Sequence, residues 1–447
     1  MIKIDWDNGR ASDGSDGECK KIIITGDWVP IWDIKRGSSY DWVMAERPQE
    51  CYGGISDVLR GADLRIVNLE CAIEGENPVI KSGPHLCARE RHLPCLQAGG
   101  FEVASLANNH VFDYGAEGFA KTRSTLDALG VEYFGAGMDD AEAWRPLVCD
   151  VGGIRVGLVG FTEGHDLSAA APGKPGVAGW DVERAKRSIR ELKGSCDVVI
   201  VIPHGGIEFA AHPSKYCIDA FRELAAEHPD AIVAHHTHVP QGIEIRDGVP
   251  IFYGIGNFLF HHMTPLHYRR HGYLVELEIA RDGVHGFRLH PFFIGYDGLE
   301  VLEGEKRSDF FATIRRVSRP FSPGEDPYSG FYGTLKYRWH TSPFSQFTSV
   351  AKLFDNDPVK AAAMLRSRLT TLQNIGLTIP MYDRVAKGII DDAPDWAVEA
   401  ERRIHDAQTV NRKVNCLHLV SAQRGMDEAK PKCVRRSRTQ SPRIDRR

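Results

Sequence analysis

The chain has 447 residues, 42% of them hydrophobic and 26% charged, enough for one large domain with an appendage or for two ordinary domains. A formal net charge of −5 gives no electrostatic reason to expect nucleic acid as the main partner. No apolar stretch has the length of a bilayer span, and the opening MIKIDWDNGRASDGSDGECK lacks the basic head and apolar run of a secretory signal. The ten cysteines include no C-x-x-C pair and mostly sit in or beside apolar runs, as buried thiols of a reducing compartment do. The expectation is a soluble, cytoplasmic protein.

Residues 1–19, rich in Gly, Ser and Asp, read as a disordered lead-in. Short apolar runs then read as buried parallel strands: Lys21–Thr25, Leu64–Val67, Glu102–Leu106, Ile154–Val159, Val198–Ile202 and Ala231–Ala234. Segments of helical period lie between most of them, as at Ala116–Leu129, Val182–Leu192 and Ser214–Glu227. Such alternation predicts a layered α/β fold with strands covered on both faces. A strand pair comes next, Pro250–Gly254 and Tyr273–Ile279. Beyond about residue 315 the character changes. Residues 320–345 are rich in Pro, Ser, Tyr and Phe, and Val359–Gln373 and Trp396–Thr409 have helical period. The predicted organisation is a lead-in (1–19), an α/β domain (20–315), a mostly helical extension (316–429) and a basic disordered tail (430–447).

The informative residues stand directly after the strands. Gly26-Asp27 comes after the first, Asn68-Leu69-Glu70 after the second, and Asn108-Asn109-His110 after the third. The run at 198–202 leads into His204-Gly205-Gly206-Ile207-Glu208, and that at 231–234 into His235-His236-Thr237-His238. In an open α/β sheet, ligands collect outside the carboxyl ends of the strands. Each piece has a plain alternative. Gly-Asp is a common turn or helix cap, Asn109-His110 a hydrogen-bonded turn, and a lone His204 a satisfied buried histidine. Together, five strand ends deliver carboxylate, amide oxygen and imidazole to one crevice. That donor set suits Mn²⁺, Fe²⁺ or Zn²⁺, and the absence of cysteine argues against a structural zinc site.

These motifs, with Asp113-Tyr114-Gly115, Gln241-Gly242-Ile243-Glu244 and Gly254-Ile255-Gly256-Asn257-Phe258, resemble those of the CapA (poly-γ-glutamate capsule biosynthesis) family. The domain of that family is similar to the calcineurin-like metallophosphoesterases. The resemblance spans residues 21–300 and implies a four-layered α/β/β/α sandwich. It implies that Asp27, Asn109, His204, His236 and His238 are metal ligands and that Glu70 bridges two ions. A bridging carboxylate holds such ions about 3.5–4 Å apart, lowers the pKa of a shared water and clamps an in-line displacement. His110 is implied as the catalytic histidine that stabilises charge on the scissile group or protonates the leaving oxygen. Asp113 is a partner to fix its tautomer or, equally, a helix N-cap.

The chain departs from the metallophosphoesterase pattern where Asp27 is followed by Trp28 and Val29 instead of Asp-x-His. Capsule proteins of the family are typically membrane-anchored, and no anchor is read here. Asn108, Glu208, His235 and Asn257 are expected around the ligands or against substrate. His261, His262, His267 and His271 with Arg269 and Arg270 either rim the site and attract an anion or form a solvated loop. Gly135-Ala136-Gly137 is too short a signal for nucleotide binding, and neither a phosphate-binding P-loop nor a G-x-S-x-G elbow occurs. Two functions remain. One is a metal-dependent hydrolase cleaving a phosphoester or an amide of a polyglutamate-like anion. The other is a non-catalytic accessory subunit for assembly or export of an anionic polymer.

Overall fold

A strand that is apolar on both faces needs a cover on each, and this requirement generates the architecture. The computed structural model describes residues 3–14, 17–31, 39–163, 168–260, 266–295 and 297–405. One sheet of nine strands is built on the parallel set Lys20–Asp27, Leu64–Asn68, Val103–Ser105 and Glu132–Phe134. Its other half is antiparallel, through His271–Ala280 and Gly283–Ile294. A second sheet of six strands has the parallel set Ile154–Thr162, Val198–His204, Ala231–Val233 and Val249–Phe252 at its centre.

Side-chain alternation sorts the cores. Ile22 and Ile24 point into the space between the sheets, where they meet Val156, Leu158, Ile200, Ile202 and Val233. Ile23, on the opposite face, packs with Leu59, Leu96 and Phe119 from flanking helices. Val199, Val201 and Ile232 of the second sheet likewise turn outward to Ile189, Leu192 and Phe221 of helices Val182–Lys193 and Lys215–Ala225. The layers therefore run helix, sheet, sheet, helix. Each fully buried aliphatic side chain contributes about 1.5–3 kcal/mol, so either sheet stripped of its helices would expose a continuous apolar face. The eight cysteines among the described residues are free thiols. No described helix is long and apolar enough to cross a membrane.

Two expectations need correction. The lead-in is structured in part: Lys3–Asp5 and Arg10–Ser12 form a hairpin whose second strand pairs with Gly286–Arg288. Ala11 is the residue of this strand that enters the core between the sheets, so polar composition hides the strand. The strands Val249–Phe252 and His271–Ala280 belong to different sheets, and the chain crosses between them through Gly254–Asn257. Within the extension expected to be mostly helical, segment 320–345 holds the helix Ser329–Thr341, which buries Phe331 and Leu335.

Nor do the C-terminal helices form a separate unit. Residues up to His405 make one compact body, in which helices Ser329–Thr341 and Asp395–His405 pack together. The basic tail from 430 lies outside the described residues. Fully buried Glu401 ties these helices to the α/β part of the fold. It accepts from the Ala211 amide at 2.8 Å, Arg338 Nε at 3.2 Å and Thr334 Oγ1 at 3.2 Å, and lies 3.2 Å from His405 Nε2. Burial pushes its carboxyl up, yet His405, Arg338 and the Ala211 amide outweigh it and hold the group at about 2.

A carboxyl depressed on folding stabilises fully above its unfolded pKa, and that stability is lost as pH falls through the folded value. Glu401→Gln is therefore expected to lower unfolding free energy by roughly 3 kcal/mol near neutrality. The gap from wild type should narrow as pH drops from 4.5 toward 2, read from urea unfolding curves. A gap independent of pH would show that charge is not what Glu401 contributes.

Candidate metal centre

The carboxyl ends of both parallel sets open on the same side, and each delivers its polar residues there by a definable local device. A side chain at Gly26 would place Cβ 2.1 Å from the Gly256 carbonyl oxygen. Glycine lets the first strand run against the crossing segment, where Asp27 and Asn257 form a parallel bridge. Asn108 builds its own turn: Oδ1 accepts from the amides of His110 and Val111, and Nδ2 donates to the Leu69 carbonyl at 2.9 Å. That turn presents Asn109 and His110. His236 and His238 are held at φ 94° and 56°, a conformation that costs a non-glycine residue about 1–3 kcal/mol and is kept where the surroundings enforce it.

Two sets of donor atoms result, sharing Glu70. In the first, His204 Nε2 lies 3.3 Å from Glu70 Oε1, 2.8 Å from Asn109 Oδ1 and 3.2 Å from His236 Nδ1. In the second, His238 Nδ1 lies 3.2 Å from Asp27 Oδ2, 3.9 Å from Glu70 Oε2 and 2.9 Å from Asn257 Oδ1. Glu70, His204 and His236 bring ligand atoms within 4.8 Å of one another, as do Asp27, Glu70 and His238. Asn68 Nδ2 joins the sets, 2.7 Å from Asp27 Oδ1 and 3.3 Å from His204 Nδ1.

The electrostatics ask for a cation. Both Glu70 oxygens are buried without a hydrogen-bond donor, and a buried carboxylate left so costs several kcal/mol. His204 does not supply the missing charge: burial, then His236 and His235, hold it well below its usual range. The 3.3 Å approach to Glu70 therefore brings that acid against a neutral ring. Burial, then Asp27, pushes Glu70 well up. At His238 burial acts downward, but Glu70 and Asp27 outweigh it and hold the ring at about 10. Carboxylate oxygens, amide oxygens and imidazole nitrogens around this negative field fit a borderline-hard divalent ion, and two sets sharing one carboxylate fit one or two of them.

The other expected residues divide. Asp113 Oδ2 lies 2.7 Å from His110 Nδ1 and accepts from the Leu86 amide at 2.7 Å. Helix Gly115–Leu129 has Tyr114 at its N-cap, so Asp113 serves the histidine and not the helix. Burial, with the Lys81 charge, pulls His110 down to about 4 against the pull of Asp113, which keeps the ring neutral. His235 turns away, its Nε2 2.8 Å from the Thr25 carbonyl, and links the two sheets. Glu208 lines the cavity beside Asn109 and His110, and the helix after it is capped by Ser214 instead.

Val29 packs in the helix-side core and its amide donates to Leu259, so position 29 faces away from the donors. Asn257 is the extra group beside His238. Arg269 and Arg270 do not form an open, anion-attracting rim: they stack on Phe209 and Phe293 and bond to His405 and the Ile294 carbonyl. His261 and His262 lie outside the described residues.

Sequence reasoning missed Lys81 and Gln373. Lys81, 4% exposed, pairs with Asp113 and stands 3.1 Å from His110 Nδ1. Gln373 Oε1 lies 3.1 Å from His236 Nε2, and the Gln373 amide donates to Glu163 at 2.9 Å. Holding the outer nitrogen of His236 leaves Nδ1 for the centre. Neither residue belongs to a motif, since each comes from a loop or helix end remote in sequence.

The fold and donor geometry define an α/β protein of two large packed sheets with a buried site whose donors suit a divalent metal. The family model described as "Bacterial capsule synthesis protein PGA_cap" matches residues 21–262. The chain belongs to that family. It is 33% identical to the "Capsule biosynthesis protein CapA" of Bacillus anthracis over 39% of this chain and 44% of the relative. It is 31% identical to the "PGA biosynthesis protein CapA" of Bacillus subtilis (strain 168) over 47% and 55%. The chain thus spans about half the length of the curated relatives it matches. A solved 5'-nucleotidase precursor from Thermus thermophilus aligns with 67% of this chain and 58% of its own at 16% identity and a TM-score of 0.39.

Removing the outer support of His236 should loosen metal without unfolding the chain. Gln373→Leu is expected to weaken Mn²⁺ binding about 10- to 100-fold, measured by calorimetric titration. An unchanged affinity would mean that His236 is oriented by its backbone alone.

Proposed function

We propose that this chain is a metal-dependent hydrolase that cleaves a phosphoester or an amide bond in an anionic, polyglutamate-like substrate. The observation that carries the reading is Glu70, fully buried, shared by both donor sets and with neither oxygen given a hydrogen bond. Asn109, His204 and His236 with Glu70 would hold one ion, and Asp27, His238 and Asn257 with Glu70 the other. When bound, the metal supplies a water of lowered pKa and charge neutralisation at the scissile group. The family membership and the names of the two capsule relatives support a polymer pathway as the setting.

The chain's own residues have separable tasks. Asp113 fixes the orientation of His110 through Nδ1 and leaves Nε2 to exchange a proton with the reacting group. Lys81 balances the Asp113 charge, so that the pair stays put in a dry wall. A residue with no contact to the donor atoms, placed beside Asn109 and buttressed in this way, favours catalysis over a scaffold role.

Metal content of protein purified without chelators, measured by elemental analysis, tests the reading. Near-stoichiometric Mn, Fe or Zn is expected, falling in Glu70→Ala and His236→Ala. His110→Ala should retain metal yet lose about 10²–10⁴-fold in hydrolysis of γ-glutamyl oligomers or phosphoesters. Protein that neither carries nor takes up metal would overturn the enzyme and favour the accessory-subunit reading.

A further inference from the structure

The C-terminal helices build one wall of the space in front of the donor cluster. A cavity of about 170 Å³ has Asn109 and His110 on one side and Ser367, Arg368 and Gln373 on the other. A second, of about 260 Å³, shares Glu208, Arg368, Gln373 and Asn374 with it and reaches Arg338. The helix Pro358–Thr370 also grips the loop opposite: Lys360 Nζ donates to the carbonyls of Lys81 and Gly83, both at 2.8 Å. Both walls of the first cavity are therefore tied to one helix.

The cations lining this space differ in how they are used. Lys81 pairs with Asp113, and Arg338 with Glu401. Arg368 donates from Nη1 to Asn374 Oδ1 at 2.8 Å and makes no ion pair among the described residues. Glu208 is the acid lining both cavities and draws on the guanidinium only through space. Burial holds Arg368 below its usual range against that pull. The charge has lost part of its hydration without a carboxylate to replace it.

We propose that Arg368 is a specificity-determining residue that binds an oxyanion of the substrate, a carboxylate or a phosphate, beside the metal centre. A guanidinium fork matches either group with paired N–H donors. The inner cavity is below the roughly 300–1,000 Å³ of drug-sized ligand sites, so it admits one residue-sized unit, with the second cavity continuing past Arg368. The substrate is then an anion whose charged group lies one unit from the bond under attack. This inference rests on the hydrolase reading and deepens it.

The test is calorimetric titration of the Mn²⁺-loaded full chain with tri-γ-glutamate and, separately, with inorganic phosphate. Wild type, Arg368→Ala, Arg368→Lys and Arg368→Gln are compared, with bound manganese measured in each. Arg368→Gln keeps the packing of the stem should alanine unfold the chain. Affinity is expected to fall about tenfold or more in Arg368→Ala and Arg368→Gln and to return in part in Arg368→Lys, with manganese unchanged. Dependence seen only with the peptide assigns a carboxylate, and dependence seen only with phosphate assigns a phosphate. Equal binding by all variants at equal metal content, or no binding of either probe by loaded wild type, overturns the proposal. A wild type that takes up no manganese sinks the hydrolase reading. Arg368-dependent binding by that metal-free chain would uphold the oxyanion subsite alone, and its absence would end both.

Discussion

A carboxylate that is fully buried and given no hydrogen-bond donor is the constraint on which this molecule turns. Glu70 stands just past the end of the strand Leu64–Asn68, at the mouth between two sheets, with Asp27 close enough to raise its pKa further. Such a pair destabilises the fold unless positive charge enters between the carboxylates. The surrounding rings answer only in part. His238 is drawn to the carboxylates, while His204 is kept neutral by burial and by its imidazole neighbours. The negative field that remains would draw a divalent ion to the site, beside the positive-φ histidines at 236 and 238.

Much of this was readable in advance because the strands are short, apolar on both faces and succeeded at once by donors. The run Lys21–Thr25 and its successors could be placed from composition alone, and the class of donor after each strand pointed to a metal. What could not be read was any arrangement that depends on one side chain meeting another far along the chain. The hairpin at residues 3–12 was hidden because a strand with Ala11 as its core residue carries no alternating signal. His235 and His236 are adjacent and alike in type, yet one bonds to Thr25 in the other sheet while the other turns to His204. Only the backbone conformation of the turn separates them. Asn257, expected around the ligands, comes as near to His238 as any carboxylate does.

The organisation of the chain was the least legible part, because the change of composition near residue 315 marks a change of structural style without a break between units. Gln373, Glu163 and His236 are connected across some two hundred positions, and Glu401 bonds to the amide of Ala211 in the segment just after His204. Helices that would look like an appendage in sequence are fastened to the loops that carry the donors.

This fastening bears on why the family's motifs and the substrate are separable problems. The motifs specify the floor of the site, where the chemistry of the donors leaves few alternatives. The wall facing them is made by residues 358–381, beyond the 21–262 matched by the family model, and it touches the donor cluster through Gln373 at His236. Lys81 links the two parts: its ammonium supports Asp113 and through it His110, while its carbonyl is held by Lys360 from the far helix. A shift of that helix would move the cavity wall and the support of His110 together. The cavity wall and the setting of His110 are thereby coupled through the backbone of a single loop.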